Sequence, residues 1–250
     1  MRSPLHILFR KIVFWVGDVR RLRTLPWVTW DVSQHRIELD EVLREALPRL
    51  QIGDIILHRD EGYLSNLFIG GFLIHAGIYV GDGYVVEALS EGVTKRHSAH
   101  ILHSDYAMIL RPKFDTACEY EDAILDASRW AEKCVGCEYD ALFTFDVEVE
   151  RKAIDLGLKG DVYLACTEVP LLCYAPHREK LNIKTKRNIT AMTRALSWFG
   201  LNTGADIVDA DMYVTANFDI VWHSRSLTAK AALQHGCSQE FLDKLAGVKK

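Results

Sequence analysis

Gly71-Phe72-Leu73-Ile74-His75-Ala76-Gly77-Ile78-Tyr79-Val80-Gly81-Asp82-Gly83-Tyr84-Val85-Val86-Glu87-Ala88 is the stretch from which the rest of the chain is best read. Two runs of alternating side chains flank Gly-Asp-Gly, the short-range signature of a β-hairpin. Alternate residues of a strand share a face, so His75, Gly77 and Tyr79 look one way and Ile74, Ala76, Ile78 and Val80 the other. The second strand divides into Val85, Glu87 and Leu89 against Tyr84, Val86 and Ala88.

Register decides whether His75 and Glu87 meet. A two-residue Asp82-Gly83 turn pairs Ile78 with Glu87 and sends the carboxylate to the wrong face. A three-residue Gly81-Asp82-Gly83 loop, or a bulge with the same effect, pairs Gly77 with Glu87. The carboxylate then lies diagonally from the imidazole, roughly 7–8 Å away at the backbone and within reach of long side chains. The sequence predicts this odd register and a His75–Glu87 pair, with Gly77 leaving space for a third group or a substrate. A core histidine bonded to a backbone carbonyl is the bland alternative for His75. Glu87 resists that reading, because a carboxylate is almost never buried unless paired.

Outward from the hairpin, Gln51 to His58 turns into a strand at Gly53-Asp54, and Gly92-Val93 and Tyr106 to Arg111 supply further short strands. The double glycine Gly70-Gly71 suits a close backbone approach. Residues 1–50 read as mostly helical, with apolar spacing from Ile37 to Leu47 ended by Pro48. From Thr116 to Cys137 the period is helical, with Ala123, Ile124, Ala127, Trp130, Ala131 and Cys134 along one side. Residues 144–160 alternate charges with two glycines and suggest an exposed insertion. Val162 to Ala165 leads into Cys166-Thr167-Glu168-Val169-Pro170, a helix start with Pro170 in its first turn. The tail has a basic stretch (Arg178, Lys180, Lys184, Lys186, Arg187), a helix near 190–199, a strand-like segment from Met212 to Trp222 and a final helix.

A length of 250 residues accommodates one domain with extensions or two small ones. The net charge of −4 gives no reason to expect a nucleic-acid partner. Six scattered cysteines do not form a disulfide framework, which points to a reducing, cytoplasmic compartment with a thiol free to act. Leu5 to Val16 is apolar but interrupted by Arg10 and Lys11, too short and too charged for a membrane span or a secretory signal. With Arg20, Arg21 and Arg23 it suits either a helix packed on the core or peripheral membrane contact.

Cys166 is the cysteine best placed for chemistry, since a thiol at a helix N-terminus is biased toward thiolate. A base and an orienter for that base are what an activated nucleophile needs, and His75 with Glu87 supplies both. Cys134-Val-Gly-Cys137 has the spacing of half a zinc site without a second half, and reads as helix packing. His97, His100 and His103 recur at a spacing that fits neither a strand face nor the metalloprotease helix. No metal site or cofactor is expected from these motifs.

Together the segments resemble the circularly permuted NlpC-type papain-like cysteine hydrolases, the YiiX-like group. The resemblance runs from Gly53-Asp54-Ile55 through the His75 strand and Val86-Glu87-Ala88 to Glu138-Tyr139-Asp140 and Cys166-Thr167-Glu168-Val169. Histidine precedes cysteine, the reverse of ordinary papain-like chains. Thr167 stands where the group more often has serine, which keeps the hydroxyl. The resemblance implies an α+β permuted papain-like fold, a small antiparallel sheet packed against the helix carrying Cys166. It implies Cys166 as nucleophile, His75 as base and acid, Glu87 as orienter and Tyr163 as a candidate oxyanion ligand. The organisation expected is a helical extension over 1–50, a catalytic core over 51–176 and an extension over 177–250 packing on it. An amide in a peptide, such as a cell-wall peptide, is the implied substrate. The first half is also similar to the lecithin retinol acyltransferase-like enzymes, which act on lipid acyl groups. Those carry a second histidine in place of Glu87 and Asn-Cys-Glu-His-Phe in place of Ala165 to Val169. A non-catalytic binding protein of the same fold is the third reading.

Overall fold

The structure, a computed structural model, describes residues 35–63, 66, 71–140, 145–185 and 208–248. The helix or membrane contact expected within 1–34, the helix near 190–199 and the basic residues Lys186 and Arg187 lie outside the described residues.

The chain is α+β, built on an antiparallel sheet of six strands, larger than the small sheet expected. Helical stretch 39–49 (α1) is followed by β1 (Ile55–Arg59), β2 (His75–Gly81), β3 (Tyr84–Leu89) and β4 (Gly92–His97). Next come α2 (Ser98–Leu102), β5 (Tyr106–Pro112) and α3 (Ala117–Cys134). A short parallel pair, β6 (Glu138–Tyr139) and β7 (Tyr163–Leu164), brackets α4 (Val147–Asp155). The chain continues with α5 (Glu168–Cys173), α6 (Ala210–Thr215), β8 (Phe218–His223), α7 (Ala229–Gln234) and α8 (Gln239–Ala246). Strand order in the sheet is β4-β3-β2-β1-β5-β8.

Both faces of the sheet are covered. Ile55, Leu57, Ala76, Ile78, Val86 and Ala88 meet Ala127 and Trp130 of α3 and Val169 and Leu172 of α5 in the main core. On the other face Ile56, Val85, Ile109 and Trp222 lie under Val42 and Ala46 of α1 and Ile101 and Leu102 of α2. Strand alternation therefore assigns His58, His75, Gly77 and Glu87 to the second, smaller face.

The turn into β1 needs glycine. Gly53 sits at φ +89°, and a Cβ there would lie 2.7 Å from the Tyr174 hydroxyl, which donates to the Gly53 carbonyl at 2.6 Å. Next to it, buried Asp54 accepts from Arg111 Nε and Nη2 at 2.9 and 2.8 Å and from the Gln51 amide at 2.8 Å. This arrangement ties the start of β1 to β5.

Helix α3 follows the apolar spacing of its sequence, with Thr116 as N-cap accepting from the Glu119 amide. Two expectations are corrected. Of the expected exposed insertion, residues 145–160 are described and are only exposed on one side: Asp146 caps α4, and Phe145, Val147 and Ile154 enter the main core while Glu148 and Lys152 face solvent. Alternating charges here mark the outer side of a short amphipathic helix. The segment from Met212 to Trp222 is strand only from Phe218, because Ala210, Tyr213 and Val214 recur at helical spacing and bury one side of α6.

Candidate active site

The hairpin register brings the histidine and the glutamate together. Gly77 pairs with Glu87, Ile78 with Val86 and Tyr79 with Val85, and a bulge between Tyr79 and Gly81 supplies the odd residue. Asp82 and Gly83 make the turn, both at positive φ. His75 Nε2 is 2.8 Å from Glu87 Oε2, a charge-assisted contact with the carboxylate almost completely buried. Arg96 Nη1 approaches Glu87 Oε1 to 3.6 Å, outside hydrogen-bond range.

Cys166 completes the group. The ladder between β2 and β3 starts only at Gly77, so the Ala76 amide is left without a strand partner on that side and donates to the Cys166 sulfur. The Thr167 amide donates to it as well, and Sγ lies 3.6 Å from the Ile74 carbonyl oxygen. His75 hydrogen-bonds to the sulfur. With Nε2 engaged by Glu87, Nδ1 is the ring nitrogen left for the sulfur.

Electrostatics favour a thiolate–imidazolium pair. Burial alone would raise the Cys166 thiol, but the charge and hydrogen bond of His75 and the two amides outweigh it and lower the pKa. Burial likewise opposes the His75 cation, yet Cys166 and Glu87 overcome it and push the imidazole up to about 10. Glu87 is held below its usual range despite burial, by His75 first, with Arg96 adding to the effect.

The loop that presents Cys166 is pinned from several directions. Helix α5 begins at Glu168, two residues past the cysteine, with Thr167 as N-cap. Glu168 Oε2 turns back to accept from the Ala165 amide at 2.6 Å. Burial and the nearby Asp140 push Glu168 well above the usual carboxylate range. Tyr213 of α6 donates to the Thr167 carbonyl at 2.6 Å.

Tyr163 is half-buried in β7, paired with Glu138. Two other tyrosines feel the charge of Cys166: Tyr139 and Tyr213, whose hydroxyls are pushed well above their ordinary value, by burial first. Gly77 does not open a substrate space: Val85, Ile101 and Glu87 pack against it, with Val85 Cγ2 2.7 Å from where a Cβ would stand. Among the other cysteines, Cys134 is buried and hydrogen-bonded to Cys173, which suits packing between α3 and α5. His97 caps α2 by accepting from the Ala99 amide, and His103 lies edge-on to His35.

His58 is the site residue that motif reading passes over. It pairs with His75 across β1 and β2, with ring centroids 4.7 Å apart. Burial, then the His75 charge, lowers its pKa to about 3, so its imidazole is neutral. His58, His75 and Glu87 each offer a ligand atom within 4.8 Å of the others and form the one such group able to hold a metal ion among the described residues. Its only sequence signal is a histidine ending a predicted strand, which carries no chemistry by itself.

No helix among the described residues is long and apolar enough to cross a membrane. No protein-family model matches the sequence, and no curated protein does. Among solved structures, the chain is similar to the crystal structure of the metalloprotein yiiX from Escherichia coli O157:H7, DUF1105. The match has 17% sequence identity and a TM-score of 0.48, and covers 70% of this chain and 97% of that one.

Proposed function

We propose that the protein is a thiol hydrolase that cleaves an amide bond through an acyl-enzyme, in a permuted papain-like arrangement. The observation that carries this reading is the position of His75, held by Glu87 at 2.8 Å on one side and hydrogen-bonded to Cys166 on the other.

In this reading the Cys166 thiolate attacks the carbonyl carbon of the substrate, and the charge that develops on oxygen is held by the Cys166 backbone amide. Tyr163 is the side-chain candidate for the same task. Imidazolium His75 gives its proton to the leaving amine as the C–N bond breaks. A water then attacks the thioester while His75 accepts its proton, the acid leaves, and the thiolate–imidazolium pair is restored. Glu87 acts through His75 as a positioning residue. A peptide amide is the preferred substrate class, and a lipid ester or thioester uses the same steps with a different leaving group.

The test is the pH dependence of Cys166 alkylation by iodoacetamide in metal-free protein, read by peptide mass spectrometry, for wild type and His75→Ala. An ordinary thiol with pKa ~8.5 is well under one per cent ionised at pH 6. The wild type is expected to react at pH 6 at least tenfold faster than the variant, whose rate rises only toward the ordinary thiol range. Equal profiles would remove the imidazole from the chemistry. Incubation with peptide and lipid acyl donors then separates substrates: a mass adduct from lipid donors alone overturns the amidase assignment.

A further inference from the structure

The geometry points to a binding site for a divalent transition-metal ion of the zinc class, formed by His58, His75 and Glu87, whose occupation displaces the His75–Glu87 hydrogen bond.

Two observations carry it independently. The first is the ligand set. Two imidazoles and one carboxylate, with ligand atoms within 4.8 Å of one another, are a recognised combination for an open zinc site. Ligands about 2.0–2.1 Å from a tetrahedral ion stand roughly 3.3 Å apart, so the group has to draw in by at most about 1.5 Å at its widest separation. His75 and Glu87, at 2.8 Å, have to open slightly. The second is the orphaned atoms. His58 Nδ1 and Glu87 Oε1 are both buried and have no hydrogen-bond partner. Buried polar atoms are nearly always satisfied, and each exception calls for an explanation such as an ion. Two exceptions within one three-residue group are explained together by one cation.

The surroundings set limits on the ion. Arg96 is the cation facing Glu87, 3.6 Å away, and with its side chain 39% exposed it has room to swing toward water. His35 is the other basic group felt by His58. Three protein ligands leave a fourth position for water, as catalytic zinc sites do.

The consequence for the thiol rests on the hydrolase reading. An ion on His75 Nε2 replaces the proton that this nitrogen donates to Glu87 and leaves the ring's remaining proton on Nδ1, so the ring no longer serves as base for Cys166. Zinc occupation and the thiolate–imidazolium pair then exclude one another, which would make the site inhibitory.

The experiment uses full-length protein stripped with a chelator. Zinc affinity is measured by competition with a chromophoric indicator, cobalt is added as a spectroscopic probe, and Cys166 alkylation is followed with and without zinc. Wild type is compared with His58→Ala and with His58→Phe, which keeps ring volume while removing both nitrogens; melting curves establish that each folds. Zinc affinity is expected to fall at least tenfold in both variants. Cobalt is expected to give tetrahedral visible bands without a strong thiolate charge-transfer band. Zinc is expected to slow alkylation several-fold more in wild type than in either folded variant. Undiminished affinity in a folded His58 variant would overturn the site. A thiolate band that survives His58 replacement would also overturn it, by assigning the ion to Cys166. If stripped wild type binds zinc through His58 but its thiol is unreactive at pH 6, the metal site stands and the hydrolase reading falls.

Discussion

Gly77 lies between the two strand residues that the site depends on, and its lack of a side chain matters for packing. A Cβ would stand 2.7 Å from Val85 Cγ2, 3.0 Å from Ile101 Cδ1 and 3.3 Å from Glu87 Cβ. Gly77→Ala is expected to destabilise the fold by ~1–3 kcal/mol, the usual cost of overpacking, and to push Glu87 away from His75. Denaturant melts and the pH profile of Cys166 alkylation check the two effects separately; an unchanged profile with lowered stability would confine Gly77 to packing. Glu87→Gln removes the charge that favours the His75 cation while keeping the shape of the side chain. Its alkylation profile is expected to move toward the ordinary thiol range, with a pH 6 rate lower by roughly tenfold for about one pKa unit. At this scale the sequence was legible for His75, Glu87 and Cys166, because each is a polar or reactive residue in an apolar run. It was not legible for His58, Tyr139 or Tyr213. Their neighbours come from other strands and helices, and nothing beside them in the chain marks them.

The hairpin was legible as an element because burial of one carboxylate restricts the register to the odd one, and the bulge at Val80 is the form that register takes. The segment entering β2 was less so. Phe72 and Leu73 lead to His75, and their amides donate to Asp211 Oδ2 and Oδ1 at 2.5 and 2.8 Å. Gly71, at φ +93°, brings the backbone to this carboxylate, where a Cβ would stand 3.0 Å from Oδ2. Asp211 lies some 140 residues away, and helix α6, which carries it, reads locally as strand. Burial pushes the Asp211 carboxyl up from 3.8 to about 6, against the pull of the two amides and Arg59 and with the charge of Asp209 adding to the rise. A raised carboxylate pKa means that the folded protein holds the proton more tightly than the unfolded chain. The associated stability is full below pH about 4 and is lost as pH rises through about 6. A shift of about two units corresponds to about 3 kcal/mol. The stability of wild type relative to Asp211→Asn is therefore expected to fall by about that amount between pH 4 and 7, measured by urea melts at both. A difference independent of pH would mean that Asp211 is ionised throughout.

At the scale of the whole molecule, the site is assembled from both ends of the chain. The core motifs run from Gly53 to Val169, yet β8 forms the edge of the sheet beside β5, and Val208, Val214, Phe218, Phe241 and Leu245 belong to the main core. Composition could not show this, because strand order depends on which edge the tail finds. Tyr213 makes the link to the chemistry: its hydroxyl donates to the Thr167 carbonyl at 2.6 Å, one residue past the thiol, and Tyr213 is fully buried. Tyr213→Phe removes the donor, keeps the ring and leaves a buried carbonyl unsatisfied, at an expected cost of ~1–3 kcal/mol. The loss should reach Cys166 because the Thr167 amide, in the same residue, donates to the sulfur. Faster hydrogen exchange across 165–169 and a slower alkylation rate at pH 6 are the expected signs, against unchanged exchange in β1 and β5. If exchange at 165–169 stays at the wild-type level while stability falls, the tail supports the sheet alone and does not set the position of the thiol.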